Sequence, residues 1–180
     1  MWALVESNSI SKIYTKPTSL LLNGLRHPSN IFSLWTEAEL KAIGIYEITI
    51  DRSNFKDTTY YSNTTITYTY NSSSDTVTGA YGTATAKDLA TLKIQKKNLI
   101  NEEAFSTLKD SDWLAIRAAE GGTAVPSSWA TWRAGVRTKA NDMQTLIDNA
   151  ADVDALAALY VYNSDDPPTR PLGVFPNKPS

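Results

Sequence analysis

The hydrophobic pattern of this chain changes period once, near Thr85, and that change limits the fold more than any other feature. Before it, apolar and polar residues alternate. Tyr46, Ile48 and Ile50 share one face against Glu47 and Thr49, and Ile66, Tyr68 and Tyr70 share one against Thr65, Thr67 and Thr69. A period of two belongs to half-buried strands. From Ala86 onward the steps are three and four. Leu89, Leu92, Lys96 and Leu99 follow one another, with Ile100 alongside. Trp129, Trp132, Val136, Ala140, Met143 and Ile147 do the same, which is the pattern of a helix with one apolar face. The expectation is an α+β chain in three parts: a small antiparallel β-rich module over residues 1–85, a helical hairpin or bundle over 86–162, and an extended Pro-rich tail over 163–180.

Turn and cap chemistry divides these parts further. Trp2–Glu6 and Ile10–Tyr14 flank a polar Ser7-Asn8-Ser9 turn, and Leu20–Leu22 runs into Asn23-Gly24, a pair that favours a type I′ hairpin. Ile31–Trp35 is a further apolar run after Pro28. Thr36-Glu37-Ala38-Glu39 has the spacing of a capping box and predicts a short helix ending at Gly44. Ile45 breaks the alternation of the strand that follows. Tyr60–Tyr70, the polar turn Asn71–Asp75 and Thr76–Tyr81 predict a solvated antiparallel ribbon with one tyrosine-rich face. In the helical part, Asp110-Ser111-Asp112 opens a short helix that Gly121-Gly122 ends, Pro126-Ser127-Ser128 opens the next, and Asp152 caps the last. Trp113, Trp129, Trp132, Val136 and Met143 are the expected structural core, with Arg133 and Arg137 flanking it as staples that stack on indoles or pair with Glu120 or Asp112.

Chemistry is thinly supplied. The 180 residues contain no cysteine and one histidine, His27, so thiolate sites and paired imidazoles are excluded. His27 lies before Pro28 in an expected turn and reads as a locally satisfied side chain. The acidic pairs Glu102/Glu103, Asp110/Asp112, Asp152/Asp154 and Asp165/Asp166 stand where helix starts or solvated faces favour negative charge. Gly121-Gly122 follows a helix and lacks the strand-to-helix setting of a phosphate loop. The residues up to Thr85 include 6 basic and 7 acidic side chains, and the rest 11 and 12, so neither half offers a basic face for nucleic acid. No run nears the roughly 20 apolar residues of a membrane span. The start Met1-Trp2-Ala3-Leu4-Val5-Glu6 lacks a basic leader pattern, which predicts folding in a cytosol and makes Asn63-Thr64-Thr65 and Asn71-Ser72-Ser73 incidental matches to the glycosylation pattern. No catalytic residue, cofactor or metal is expected.

Three blocks and the ending resemble bacteriophage tail-fibre assembly and tail-assembly chaperone proteins, especially small versions from marine phages. The opening through Ile10-Ser11-Lys12-Ile13 is similar to their first hairpin. Trp35-Thr36-Glu37-Ala38-Glu39-Leu40 through Gly44-Ile45-Tyr46 is similar to their short helix and following strand. Asp110-Ser111-Asp112-Trp113, Arg117, Glu120-Gly121, Pro126, Trp132-Arg133 and Val136-Arg137 follow their helical hairpin in order and approximate spacing. Arg170-Pro171-Leu172-Gly173-Val174-Phe175-Pro176 resembles their Pro-rich aromatic ending, with Phe175 where tryptophan is commoner; Asn54–Tyr81 corresponds by position alone. The resemblance implies a non-enzymatic role in building or completing a tail fibre, located in the virion tail or in host cytoplasm during assembly, with a fibre or tail polypeptide or further copies of the chain as partner. A structural tail-fibre subunit contributing to host recognition is the alternative, and a glycan-acting enzyme a distant third. Expected contact residues are Tyr68, Tyr70, Arg170 and Phe175.

Overall fold

The computed structural model describes residues 1–179, which form an α+β chain of two compact units, one from Met1 to Thr85 and one beginning at Ala86. The first unit is built on strands β1 (Trp2–Glu6), β2 (Ser9–Tyr14), β3 (Leu20–Leu22) and β4 (Leu25–His27). Helices α1 (Ile31–Leu34) and α2 (Glu37–Ala42) follow, then β5 (Ile45–Asp51), β6 (Tyr61–Ser62), β7 (Ile66–Asn71) and β8 (Thr76–Tyr81). The two-residue strand β9 (Thr85–Ala86) lies at the boundary.

Five of these strands make one sheet in the order β2-β1-β5-β8-β7. The expected all-antiparallel module is corrected here. β5 and β8 run parallel, from Ile48 opposite Val77 to Asp51 opposite Ala80, while the other neighbours are antiparallel. A parallel pair needs a long crossover, and the 24 or so residues between β5 and β8, which include β7, supply one. The sheet curls until its edge strands β2 and β7 approach each other. Inside the curl Ala3, Ile48 and Val77 are buried, with Tyr46, Ile50, Tyr68 and Tyr70 packed around them. Gly79 of β8 sits in this interior; a Cβ there would come within 2.9 Å of Ile50, Ile66 and Tyr68 side chains.

The other face of the sheet carries a second cluster of Leu4, Tyr14, Leu20, Ile31, Phe32, Leu40 and Ile45. Ile45, the residue out of step with the alternation, is thereby fully buried on the opposite side from Tyr46. Most of the apolar run Ile31–Trp35, which lies in the part expected to be β, forms the single helical turn α1, and this brings Ile31 and Phe32 together onto this face. The Ser7-Asn8 and Asn23-Gly24 loops take positive φ at both residues, matching two-residue hairpin turns. Thr36 and Glu39 complete the capping box, and Gly44 follows α2 at φ +80 with the oxygen of Val5 only 2.8 Å from where a Cβ would stand. His27 is not a turn residue: it lies in β4, is buried, and meets Trp35 edge-on at 5.5 Å. The expected long Thr/Tyr strand is interrupted, since residues 63–65 separate β6 from β7.

The second unit contains α3 (Leu89–Lys109), α4 (Asp112–Ala119), α5 (Ser127–Asn149) and α6 (Val153–Ala158). α3 and α5 pack along each other. α5 buries Trp132, Arg133, Val136, Ala140, Met143 and Ile147, one continuous stripe. On α3 the buried stripe is Leu92, Ile100 and Ala104, and Leu99 faces outward at 54% exposure. Steps of four from Leu92 through Lys96 reach Ile100 and Ala104, so the stripe continues through Ile100 instead of Leu99. Residues 163–179 contain no helix or strand, yet they are not an extended tail. Leu172 is fully buried, its backbone N–H bonds to the Leu159 carbonyl, and Trp132 donates its indole N–H to the Pro176 carbonyl at 3.0 Å. Among the described residues, no helix is long and apolar enough to cross a membrane.

Candidate protein-contact surface

The junction between α3, α4 and α5 is held by one buried cation. Arg133 is 6% exposed, and its guanidinium donates to the Leu108 carbonyl at 3.1 Å, to the Ser111 hydroxyl, and to Asp112 Oδ1 at 2.7 Å. Ser111, itself fully buried, donates its hydroxyl to the Leu108 carbonyl at 2.7 Å. Of the two acidic partners expected for this arginine, Asp112 is the one engaged. Ser111 was expected only as part of a cap cluster. Its side chain caps no helical N–H and instead shapes the arginine site, a role that nothing in local spacing announces.

This fastening sets the rotation of α4. Leu114 turns inward and is buried, while Trp113 stands at 56% exposure. The expectation that Trp113 belongs to the core is therefore corrected. Ser111, Leu114 and the acceptor of Arg133 must share the inner face, and the residue between them is left pointing outward. Ile116, three positions on, is equally exposed at 56%, and the Arg117 guanidinium lies 4.9 Å from the centre of the Trp113 ring. Arg117 also donates from Nε to the Thr123 carbonyl, which ties the side chain to the following loop. Trp113, Ile116 and Arg117 thus form an outward patch of indole, aliphatic branch and guanidinium at i, i+3 and i+4. Trp129 is half-buried, edge-on to Trp132 with ring centres 5.6 Å apart, and Lys178 lies over its ring.

The expected contact residues fall in separate places. Tyr68 and Tyr70 turn their rings toward their own sheet's interior and are half-buried. Tyr70 packs edge-on against Tyr46 and donates its hydroxyl to Asp75 at 2.9 Å. Lys41 reaches both Glu37 and Asp75. Hydrogen bonding with Tyr70 is the main cause that pushes the Tyr46 hydroxyl well above its ordinary range, with burial second, and the Tyr46 and Tyr70 hydroxyls hold the Asp75 carboxyl below its own. Phe175 is half-buried in the closing segment.

Arg170 is the best placed of the four. Asn163 closes the 163–169 loop by bonding both the backbone and the hydroxyl of Thr169, and this sets Arg170 against α6. The guanidinium lies 5.8 Å from the Tyr160 ring centre and 5.4 Å from that of Tyr162, and Nε donates to the Gly173 carbonyl. Val161 and Tyr162, exposed at 63% and 52%, border a cleft of about 590 Å³ beside it. Neither residue was expected at a surface site; an apolar pair standing just past a helix and just before a polar loop is the signal that marks them.

Three of the paired acids serve local structure. Asp110 faces Lys178, Asp112 holds Arg133, and Asp152 caps α6 by accepting from the Ala155 N–H. Among the described residues no three His, Cys, Asp or Glu side chains converge as they would around a metal ion. Compared with known proteins, the chain matches no family model, no curated protein and no solved structure.

Proposed function

We propose that this chain is a non-enzymatic protein that binds a bacteriophage tail or tail-fibre polypeptide, as an assembly factor or as a retained virion component. The observation that carries the binding part is the outward patch on α4. An indole with more than half its surface in water, steadied by a guanidinium and flanked by an exposed isoleucine, is the residue set that dominates protein interfaces. The link to tail fibres comes from the sequence resemblance. Its most specific block, Asp110-Ser111-Asp112-Trp113 through Arg137, contains both the buried fastening and the exposed patch that the fastening orients.

The test is co-expression with the C-terminal part of the cognate fibre. The two chains should co-purify. Trp113→Ala should weaken capture by about thirtyfold or more, as loss of a central interface tryptophan does, with the melting temperature unchanged because the ring is exposed. A fibre that trimerises and supports infection without this protein would end the assembly-factor reading. Stoichiometric presence in purified particles would identify a structural subunit.

A further inference from the structure

We infer that the cleft between the end of α6 and the closing segment is a second binding site, for an extended peptide segment that presents a carboxylate beside an apolar side chain. It is separate from the α4 patch and does not depend on the tail-fibre reading. The walls are Ala158, Val161, Tyr162, Asn163, Thr169, Arg170 and Pro171, and most of the surface a ligand would meet is apolar. A volume of about 590 Å³ suits a few side chains and the backbone between them.

Within these walls Arg170 is the charge. Its Nε is committed to the Gly173 carbonyl, and its guanidinium carbon lies within cation–π range of the Tyr160 and Tyr162 ring centres, at 5.8 and 5.4 Å. Among the described residues its two terminal nitrogens meet no protein acceptor. The cation–π contacts and the Nε bond hold the group in place, which lowers the entropic cost of pairing those two nitrogens with a planar carboxylate. Lys96 adds a second cation on the Tyr160 ring, 4.6 Å from its centre.

The surroundings select the class of anion. Asp165 bonds Asn163, itself a lining residue of the cleft, and Asp166 follows it in the loop. Their negative charge offsets part of that of Arg170 and Lys96, and it repels a phosphate dianion about twice as strongly as a single carboxylate. The exposed Val161 and Tyr162 favour an apolar neighbour to that carboxylate over a hydroxyl-rich sugar.

Binding of two blocked tripeptide amides, leucyl-glutamyl-phenylalanine and leucyl-glutaminyl-phenylalanine, followed by NMR shifts of the full chain, tests this. The glutamyl peptide should bind at least about tenfold more tightly and move the signals of Val161, Tyr162 and Thr169. Arg170→Gln should bring the two peptides to within about twofold, with melting measured in parallel, and Val161→Ala should weaken both alike without changing their ratio. Equal affinity of the native chain for both peptides, no binding at millimolar concentration, or tighter binding of free N-acetylneuraminic acid in the same cleft would each overturn the proposal. None of these outcomes bears on fibre capture through Trp113.

Discussion

Arg133 carries a charge that water scarcely reaches, and its counterion Asp112 keeps 44% of its side chain in solvent. That asymmetry decides which half of the pair is costly to remove. Asp112→Ala leaves the guanidinium buried with only the Ser111 hydroxyl and Leu108 carbonyl for partners, and should destabilise the chain by about 2–3 kcal/mol. Arg133→Met fills much of the same volume and frees an aspartate that can rehydrate, so it should cost nearer 1 kcal/mol. Urea unfolding of the two variants gives the comparison; equal losses would show that the pair is valued for packing and not for charge. The presence of an arginine beside the α5 stripe is visible in the sequence, as is an acidic partner on the preceding short helix. The choice of Asp112 is not visible, because it depends on Ser111 being buried at the turn between two helices.

An eight-residue helix such as α4 has too few apolar positions to determine its own orientation. Trp113, Leu114 and Ile116 are all candidates for an inner face, and the periodicity of a two-turn segment does not separate them. The longer α5 has six buried positions in register, and its stripe is legible from Trp132 to Ile147; the exceptions are Arg133, buried within it, and Trp129, expected in the core but only half-buried. The closing segment shows the opposite failure. Five prolines between residues 167 and 179 correctly exclude a helix and a central strand, but they say nothing about whether the chain leaves the surface. Leu172 answers that question by burial, in a slot it reaches through a hydrogen bond to the Leu159 carbonyl. Leu172→Ala should therefore lower stability by about 2–5 kcal/mol, an effect of core size from a residue in irregular backbone. Thermal unfolding checks it, and a change within about 0.5 kcal/mol, typical of surface sites, would mean the segment is not fastened there.

At the scale of the molecule, the first unit concentrates its ionisable groups in ways that set its pH response. Burial and, for Tyr46, hydrogen bonding with Tyr70 raise the hydroxyls of Tyr14, Tyr46 and Tyr60 above their ordinary range. The unfolded chain releases these protons near pH 10 and the folded chain retains them, so stability is complete below about pH 10 and declines as pH rises from there. Glu39, Asp51 and Asp75 are shifted the other way: backbone hydrogen bonding at Thr36 and Ser53 leads for the first two, and the Tyr46 hydroxyl leads for Asp75. Their contribution is present above about pH 4 and is lost as pH falls through their folded values. Amide exchange in β5 and β8 across pH should show a plateau with losses on both sides, and Tyr46→Phe should flatten the alkaline loss. The sequence alone determined most of the strands and helices, the turns at Ser7-Asn8 and Asn23-Gly24, and the caps at Thr36 and Asp152, because each depends on neighbours within a few positions. Only the tertiary structure decided the parallel β5–β8 pair, the outward Trp113, the docked closing segment and the cleft around Arg170. Each of these rests on contacts between residues far apart in the chain, where local pattern leaves several packings open and burial chooses among them.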